Sequence, residues 1–139
     1  MKPARVLETV LYAEDLEAAE AFYRNALGLE PASKQAGRQV FYKLDDAMLL
    51  IFNPRATTVP PPPDAKLPVP PHGPVGQGHV CFAASAEEIS AWRVHLEAKG
   101  IAIEADFCWP GGGRSLYIRD PAGNAVEFAE PRIWGFEEP

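Results

Sequence analysis

The polar and apolar positions of this chain run through one pattern twice. Residues 6–12 alternate and are rich in β-formers, which predicts a strand. Asp15 stands where an N-cap belongs. Leu16, Ala19, Phe22, Tyr23, Ala26 and Leu27 then recur at helical spacing as far as Gly28, a helix-ending glycine. Residues 31–35 predict a short strand, and 39–45 with 47–53 a hairpin turning near Asp45-Asp46-Ala47. After an interruption the order returns. Strand 78–83 leads into Ser85-Ala86-Glu87-Glu88, a capping box, and Ile89, Trp92 and Leu96 mark the buried face of a helix that Gly100 ends. Residues 101–106, 114–119 and 124–130 predict three more strands. The last two are joined by Asp120-Pro121-Ala122-Gly123-Asn124, with proline to set φ early and glycine free to take positive φ later. Each half therefore reads β-α-β-β-β, and such an internal repeat governs the fold.

The interruption, residues 54–77, carries Pro60 to Pro63, Pro68, Pro70, Pro71 and Pro74, which exclude a regular helix or a central strand. It reads first as a stiff connector; a substrate-covering lid or a dimer-contact loop is the functional alternative. The expected organisation is one domain over 1–139, with module one at 4–54, a Pro-rich connector at 55–76 and module two at 77–132. A sheet with one covering helix still has a bare face, so two such sheets, from one chain or two, should face each other across a cleft. Strand alternation puts Thr9, Leu11, Val80, Phe82, Val126 and Phe128 under the helices. It puts Glu8, Val10 and Tyr12, His79 and Cys81, and Glu127 on the cleft face. Glu8 and His79 hold equivalent places in the two modules. Polar groups inside apolar strands are costly unless paired or bound, and a metal ion would account for Glu8, His79 and Glu127 together.

The bulk numbers narrow the partners. A length of 139 residues suits one domain with a core. A net charge of −6 disfavours nucleic acid and anionic membrane surfaces, which need basic patches. The start, Met1-Lys-Pro-Ala-Arg-Val, lacks the apolar core of a signal peptide, and no apolar run approaches the roughly 18 residues of a span. With only Cys81 and Cys108, a cytoplasmic setting and free thiols are expected. Gly111-Gly112-Gly113 lacks the spacing of a nucleotide-binding loop.

The segments Glu8-Thr-Val-Leu-Tyr-Ala-Glu-Asp-Leu16, Ala21-Phe-Tyr-Arg-Asn-Ala-Leu-Gly-Leu29, Gly78-His-Val-Cys-Phe82 and Asp120-Pro-Ala-Gly-Asn-Ala-Val-Glu-Phe128 resemble the vicinal oxygen chelate superfamily. Its members include glyoxalase I, fosfomycin-resistance enzymes, extradiol dioxygenases and bleomycin-resistance proteins. The resemblance covers nearly the whole chain. It implies an α+β fold of two tandem βαβββ modules making a cleft-bearing pair of half-barrels. It does not select a reaction, because the scaffold hosts several.

The resemblance also implies metal ligands at Glu8, His79 and Glu127. Glyoxalase I has a fourth, on a strand that here reads Ala47-Met-Leu-Leu-Ile-Phe52 and offers none. One imidazole and two carboxylates suit a single divalent ion, Zn, Ni, Mn, Fe or Co. The leading expectation is a metal-dependent lyase or isomerase of glyoxalase-like type, acting on a small oxygen-chelating substrate, in a homodimer. The alternatives are an Fe(II) extradiol-type ring-cleaving dioxygenase and a metal-free binding protein of bleomycin-resistance type. Glu127, Glu8 and Tyr117 are the expected catalytic groups. Tyr12, Trp109, Arg114 and His72 are expected to line the substrate, with Trp109 as an apolar wall and Arg114 as a partner for a carboxylate or phosphate.

Overall fold

The computed structural model describes residues 5–74 and 76–137. Residues 1–4, which open the segment read for a signal peptide and include the first residue of module one, Val75 in the connector and the last two residues lie outside the described residues. The chain divides into two compact units that meet in sequence between Gly78 and His79.

In unit one, β1 (Glu8–Tyr12) is followed by α1 (Leu16–Leu27), β2 (Pro31–Gln35), β3 (Gln39–Lys43) and β4 (Met48–Phe52). The strand order is β1-β4-β3-β2, with β1 parallel to β4 and the rest antiparallel. Asp15 caps α1 by accepting from the Ala18 N–H, and Gly28 closes it at positive φ, its N–H donating to the Arg24 and Tyr23 carbonyls. Leu16, Ala19, Tyr23 and Ala26 face the sheet and meet Leu11, Val40, Tyr42, Leu49 and Ile51, all buried.

The segment after β4 departs from the sequence expectation of no regular element. Pro54–Thr57 form a short helix, α2, capped by the Asn53 side chain on the Arg55 N–H, with Pro54 at a first-turn position where its missing N–H costs nothing. The prolines that follow fold back over the bare face of this same sheet. The return is pinned by the His72 N–H on the Thr57 carbonyl, 3.1 Å. Gly73 makes it possible: at φ +148°, a Cβ there would stand 2.8 Å from Thr58 Cγ2.

Unit two repeats the order with β5 (His79–Ala83), α3 (Ala86–Ala98), β6 (Ala105–Cys108), β7 (Arg114–Arg119) and β8 (Ala125–Ala129), followed by a single 3-10 turn at Pro131–Trp134. The strand order is β5-β8-β7-β6, the counterpart of unit one. The capping box at Ser85 and Glu88 forms as expected. Ile89 and Leu96 are fully buried against Val80, Leu116, Ile118, Val126 and Phe128, and Trp92 stacks on Phe128 at 4.6 Å. The turn at Asp120 is closed by its own carboxylate, which accepts from the Ala122 and Asn124 N–H groups and the Asn124 amide. Neither sheet closes on itself. The molecule is α+β, two βαβββ modules in tandem, as the sequence pattern predicts.

β6 is the exception in register. The sequence suggests 101–106, whereas the strand runs 105–108. Glu104 N–H bonds to Tyr117 O just ahead of it, and Phe107 pairs with Ser115.

Candidate functional site

The bare face of the second sheet carries the chemistry. Parallel pairing sets Cys81 beside Glu127, and antiparallel pairing sets Glu127 beside Tyr117, so one row across β5, β8 and β7 holds a thiol, a carboxylate and a phenol. His79, one pleat along β5, reaches Glu127: Nε2 lies 2.9 Å from Oε2. The carboxylate is nearly enclosed, with 5% of its side chain exposed, while the imidazole is 53% exposed and open to a ligand. The other carboxylate oxygen, Oε1, is buried and makes no well-formed hydrogen bond among the described residues. Cys81 and Tyr117 lie within hydrogen-bonding reach of the Glu127 carboxylate and feel its charge. Burial first, and then the Glu127 carboxylate, push the Cys81 thiol and the Tyr117 phenol each up to about 12. Both therefore hold their protons through neutral pH.

An aromatic row extends from this pair. The His79 and Tyr117 rings are 6.1 Å apart, Phe107 stacks parallel to Tyr117 at 6.0 Å, and Trp109 meets Phe107 edge-on at 5.0 Å. The Trp109 indole N–H donates to Ser115 Oγ, 2.9 Å, which fixes the ring. Phe107 and Trp109 keep 39% and 40% of their surface exposed, leaving an apolar wall beside the carboxylate.

Arg114, expected to meet a substrate carboxylate or phosphate, points away from this face and already has its anion. It lies on the α3 side of β7, where Asp106 takes it in a fork at 2.7 and 2.8 Å and Ser90 Oγ takes a third N–H. Arg93 joins the same carboxylate at 2.6 Å. Asp106 is held down to about 2, chiefly by Arg114 and against its own burial. The glycine run likewise serves the fold: a Cβ on Gly113 would stand 2.4 Å from Ile133 Cγ2, so its close approach is to the 3-10 turn. The buried Glu130 holds the same corner by accepting the Arg114 N–H at 2.6 Å.

In unit one, Glu8 begins β1 at an exposed position. Tyr12 and His72, read separately from the sequence, are in direct contact, with Oη 2.6 Å from Nδ1. Phe52 packs edge-on against the His72 ring at 4.8 Å. Within either unit, no three His, Cys, Asp or Glu side chains are gathered for a metal among the described residues.

The family model of the glyoxalase, bleomycin resistance protein and dioxygenase superfamily matches residues 5–128. The chain belongs to this superfamily. Among solved structures, it is similar to a lactoylglutathione lyase from Agrobacterium tumefaciens, at 48% identity over 98% of this chain and 100% of that one, with a TM-score of 0.89. Two others share the fold. One is a glyoxalase/bleomycin resistance protein/dioxygenase from Nocardioides, 22% identical over 94% of this chain and 85% of that one, with a TM-score of 0.71. The other is a virulence protein from Salmonella typhimurium, 23% identical over 94% of this chain and 98% of that one, with a TM-score of 0.66. No curated protein matches the chain. Membership explains why both halves carry the same strand order, and it leaves the reaction open, as a shared superfamily scaffold does.

Sequence reasoning missed Phe107, Asp106 and Glu130. Phe107 falls beyond the end of a strand drawn at 101–106. A strand drawn two residues later would have placed it on the face of Tyr117, because alternate residues share a face. Asp106 and Glu130 carry no local signature, since each is defined by the arginine or backbone it meets across the sheet.

Proposed function

We propose that the protein is a metal-dependent enzyme of glyoxalase type, a lyase or isomerase acting on a small substrate with two neighbouring oxygens. The observation that supports this is the state of Glu127. A buried carboxylate with one oxygen on His79 and the other without a well-formed hydrogen bond is what a cation would satisfy. His79 and Glu127, in contact within unit two, would hold such an ion, and the resemblance gives Glu8 as the third ligand. The similarity to a lactoylglutathione lyase at 48% identity supports the same reading.

A bound divalent ion would supply Lewis-acid polarisation of substrate oxygen. The side chains do the rest. Glu127 can take a proton from the carbon beside a substrate carbonyl, in the role the resemblance gives it or Glu8. Tyr117, protonated at neutral pH, donates a hydrogen bond to the oxygen on which negative charge grows. Trp109 and Phe107 shield that oxygen from water. The working form is a homodimer in the cytoplasm, and Tyr12 and His72 serve the substrate. No helix among the described residues is long and apolar enough to cross a membrane.

Elemental analysis of protein purified without chelator, with lactoylglutathione turnover alongside, tests this. About one metal per chain is expected, lost in both His79→Ala and Glu127→Ala, with turnover lost too. Full metal content in Glu127→Ala would sink the site. Oxygen uptake with a catechol in the iron form alone would replace the lyase by a dioxygenase. No metal taken up on titration, with ligand binding unchanged by chelator, would leave a binding protein.

A further inference from the structure

Helix α3 buries Ile89 and Leu96, yet its opposite side is not plainly polar. Ala91, Val94 and Ala98 are exposed there, Val94 by 67%. Through this side runs a stripe of four residues at helical spacing, Glu88, Ala91, Trp92 and His95. They line a shallow groove of about 260 Å³, to which no other element among the described residues contributes. One helix gives such a groove a floor without walls, so it suits a docking surface better than an enclosed ligand.

The stripe is complementary to its own reverse. From its N-terminal end it reads carboxylate, small, large, imidazole. Trp92 is the large member. Its ring stacks on Phe128 at 4.6 Å and meets the His95 ring edge to face at 5.5 Å, which fixes its position. Ala91 leaves a gap one residue away. A two-fold axis midway between residues 91 and 92 sets Ala91 against the partner's Trp92 and Glu88 against the partner's His95, each contact made twice. Glu88 Oε2 accepts the Ser85 N–H at 2.8 Å in the capping box, and a carboxylate has room to accept an imidazole N–H as well. Along one helix Glu88 and His95 stand about 10 Å apart, too far to pair within a chain. The same antiparallel seam brings Lys99 within one turn of the partner's Glu87 and opposes the two helix dipoles.

From this match of charge and size we infer that the outer face of α3 docks on a second copy of the chain, α3 antiparallel to α3. The inference rests on the homodimer reading above and deepens it by naming the face. A stripe shaped for an unrelated partner has no reason to match its own reverse. One helix face buries less than the roughly 800 Å² per partner of a standard interface, so the dimer dissociates on dilution and depends on few residues.

Sedimentation equilibrium of the full chain over a dilution series tests it, with a monomer–dimer equilibrium expected. Ala91→Lys, at an exposed site where lysine keeps the helix, should weaken the dimer about thirtyfold by filling the gap that takes the partner's Trp92. Glu88→Gln keeps the capping box, in which glutamine also serves, and should weaken the dimer about tenfold, because symmetry removes two contacts at once. His95→Ala should cost the same, and the double variant no more than either alone, the signature of two residues that touch each other. That comparison leaves the helix centre unchanged and stands even if Ala91→Lys unfolds. A dimer that keeps its affinity in a folded Ala91→Lys, or losses that add in the double variant, would overturn the inference and leave the homodimer on another face. A chain monomeric throughout the series would overturn both. Metal content, read on the same samples, should be unchanged by all of these substitutions, so the metal proposal stands or fails separately.

Discussion

Two buried oxygens lack a well-formed hydrogen bond among the described residues, Glu127 Oε1 and Tyr42 Oη, and their surroundings separate them. Glu127 sits beside an open imidazole, a phenol and a thiol on the bare face of the second sheet, so its unsatisfied oxygen points to chemistry. Tyr42 lies under α1 with its ring against Tyr23 at 5.5 Å and no surface exposed. Burial above all pushes its phenol up to about 12. A buried hydroxyl without a partner only costs, whereas the ring earns its place by packing. Tyr42→Phe should therefore leave stability unchanged or raise it by about 1 kcal/mol, read as the midpoint of thermal or urea unfolding. A fall of similar size would mean that the hydroxyl has a partner in solution.

At the scale of elements, the Asp106 clamp ties β6, β7 and α3 together through Arg114, Arg93 and Ser90. The short strand β6 has one neighbour in the sheet, so side-chain ties matter there more than ladder bonds. Asp106 is depressed in the folded state to about 2. A depressed carboxyl contributes fully above its unfolded value, roughly 4, and loses that contribution as pH falls through the folded value. Asp106→Asn should thus lower stability at pH 7 by roughly 1–2 kcal/mol, discounted for the solvent that reaches Arg93. The gap between variant and parent should close between about pH 4 and pH 2 in acid-unfolding curves. A gap that persisted at the acid end would show that shape, and not charge, carries the clamp.

For the whole molecule, the family fold and the proposed metal make one joint statement about stability. A ligand that binds only the folded chain stabilises it by mass action, about 2.7 kcal/mol at a hundredfold excess over Kd. A chain of this size should then melt roughly 5–10 °C higher with metal than with chelator. His79→Ala and Glu127→Ala should melt at the same temperature in both. Chelator sensitivity that survived both substitutions would place the metal elsewhere.

The repeat, the two long helices α1 and α3 with their caps, the Asp120 turn and the faces of β1, β5 and β8 were all legible from sequence. Each is written in short-range signals: alternation, 3.6-residue spacing, a capping aspartate or serine, a terminal glycine. Alternation also placed His79 and Glu127 on one face, and parallel pairing of β5 with β8 turned that shared face into a 2.9 Å contact. Three things were decided only in three dimensions. The proline segment folds back on its own unit, because backbone stiffness says that it is no helix but not where it lies. Arg114 takes Asp106 as its anion, because ion pairs form between residues brought together by register, and a shift of β6 by a few residues changes the register. Tyr12 finds His72 across 60 residues of sequence, and no local pattern encodes a contact at that range. Sequence sets what each segment can form and which way its side chains alternate. Packing decides which of those side chains meet.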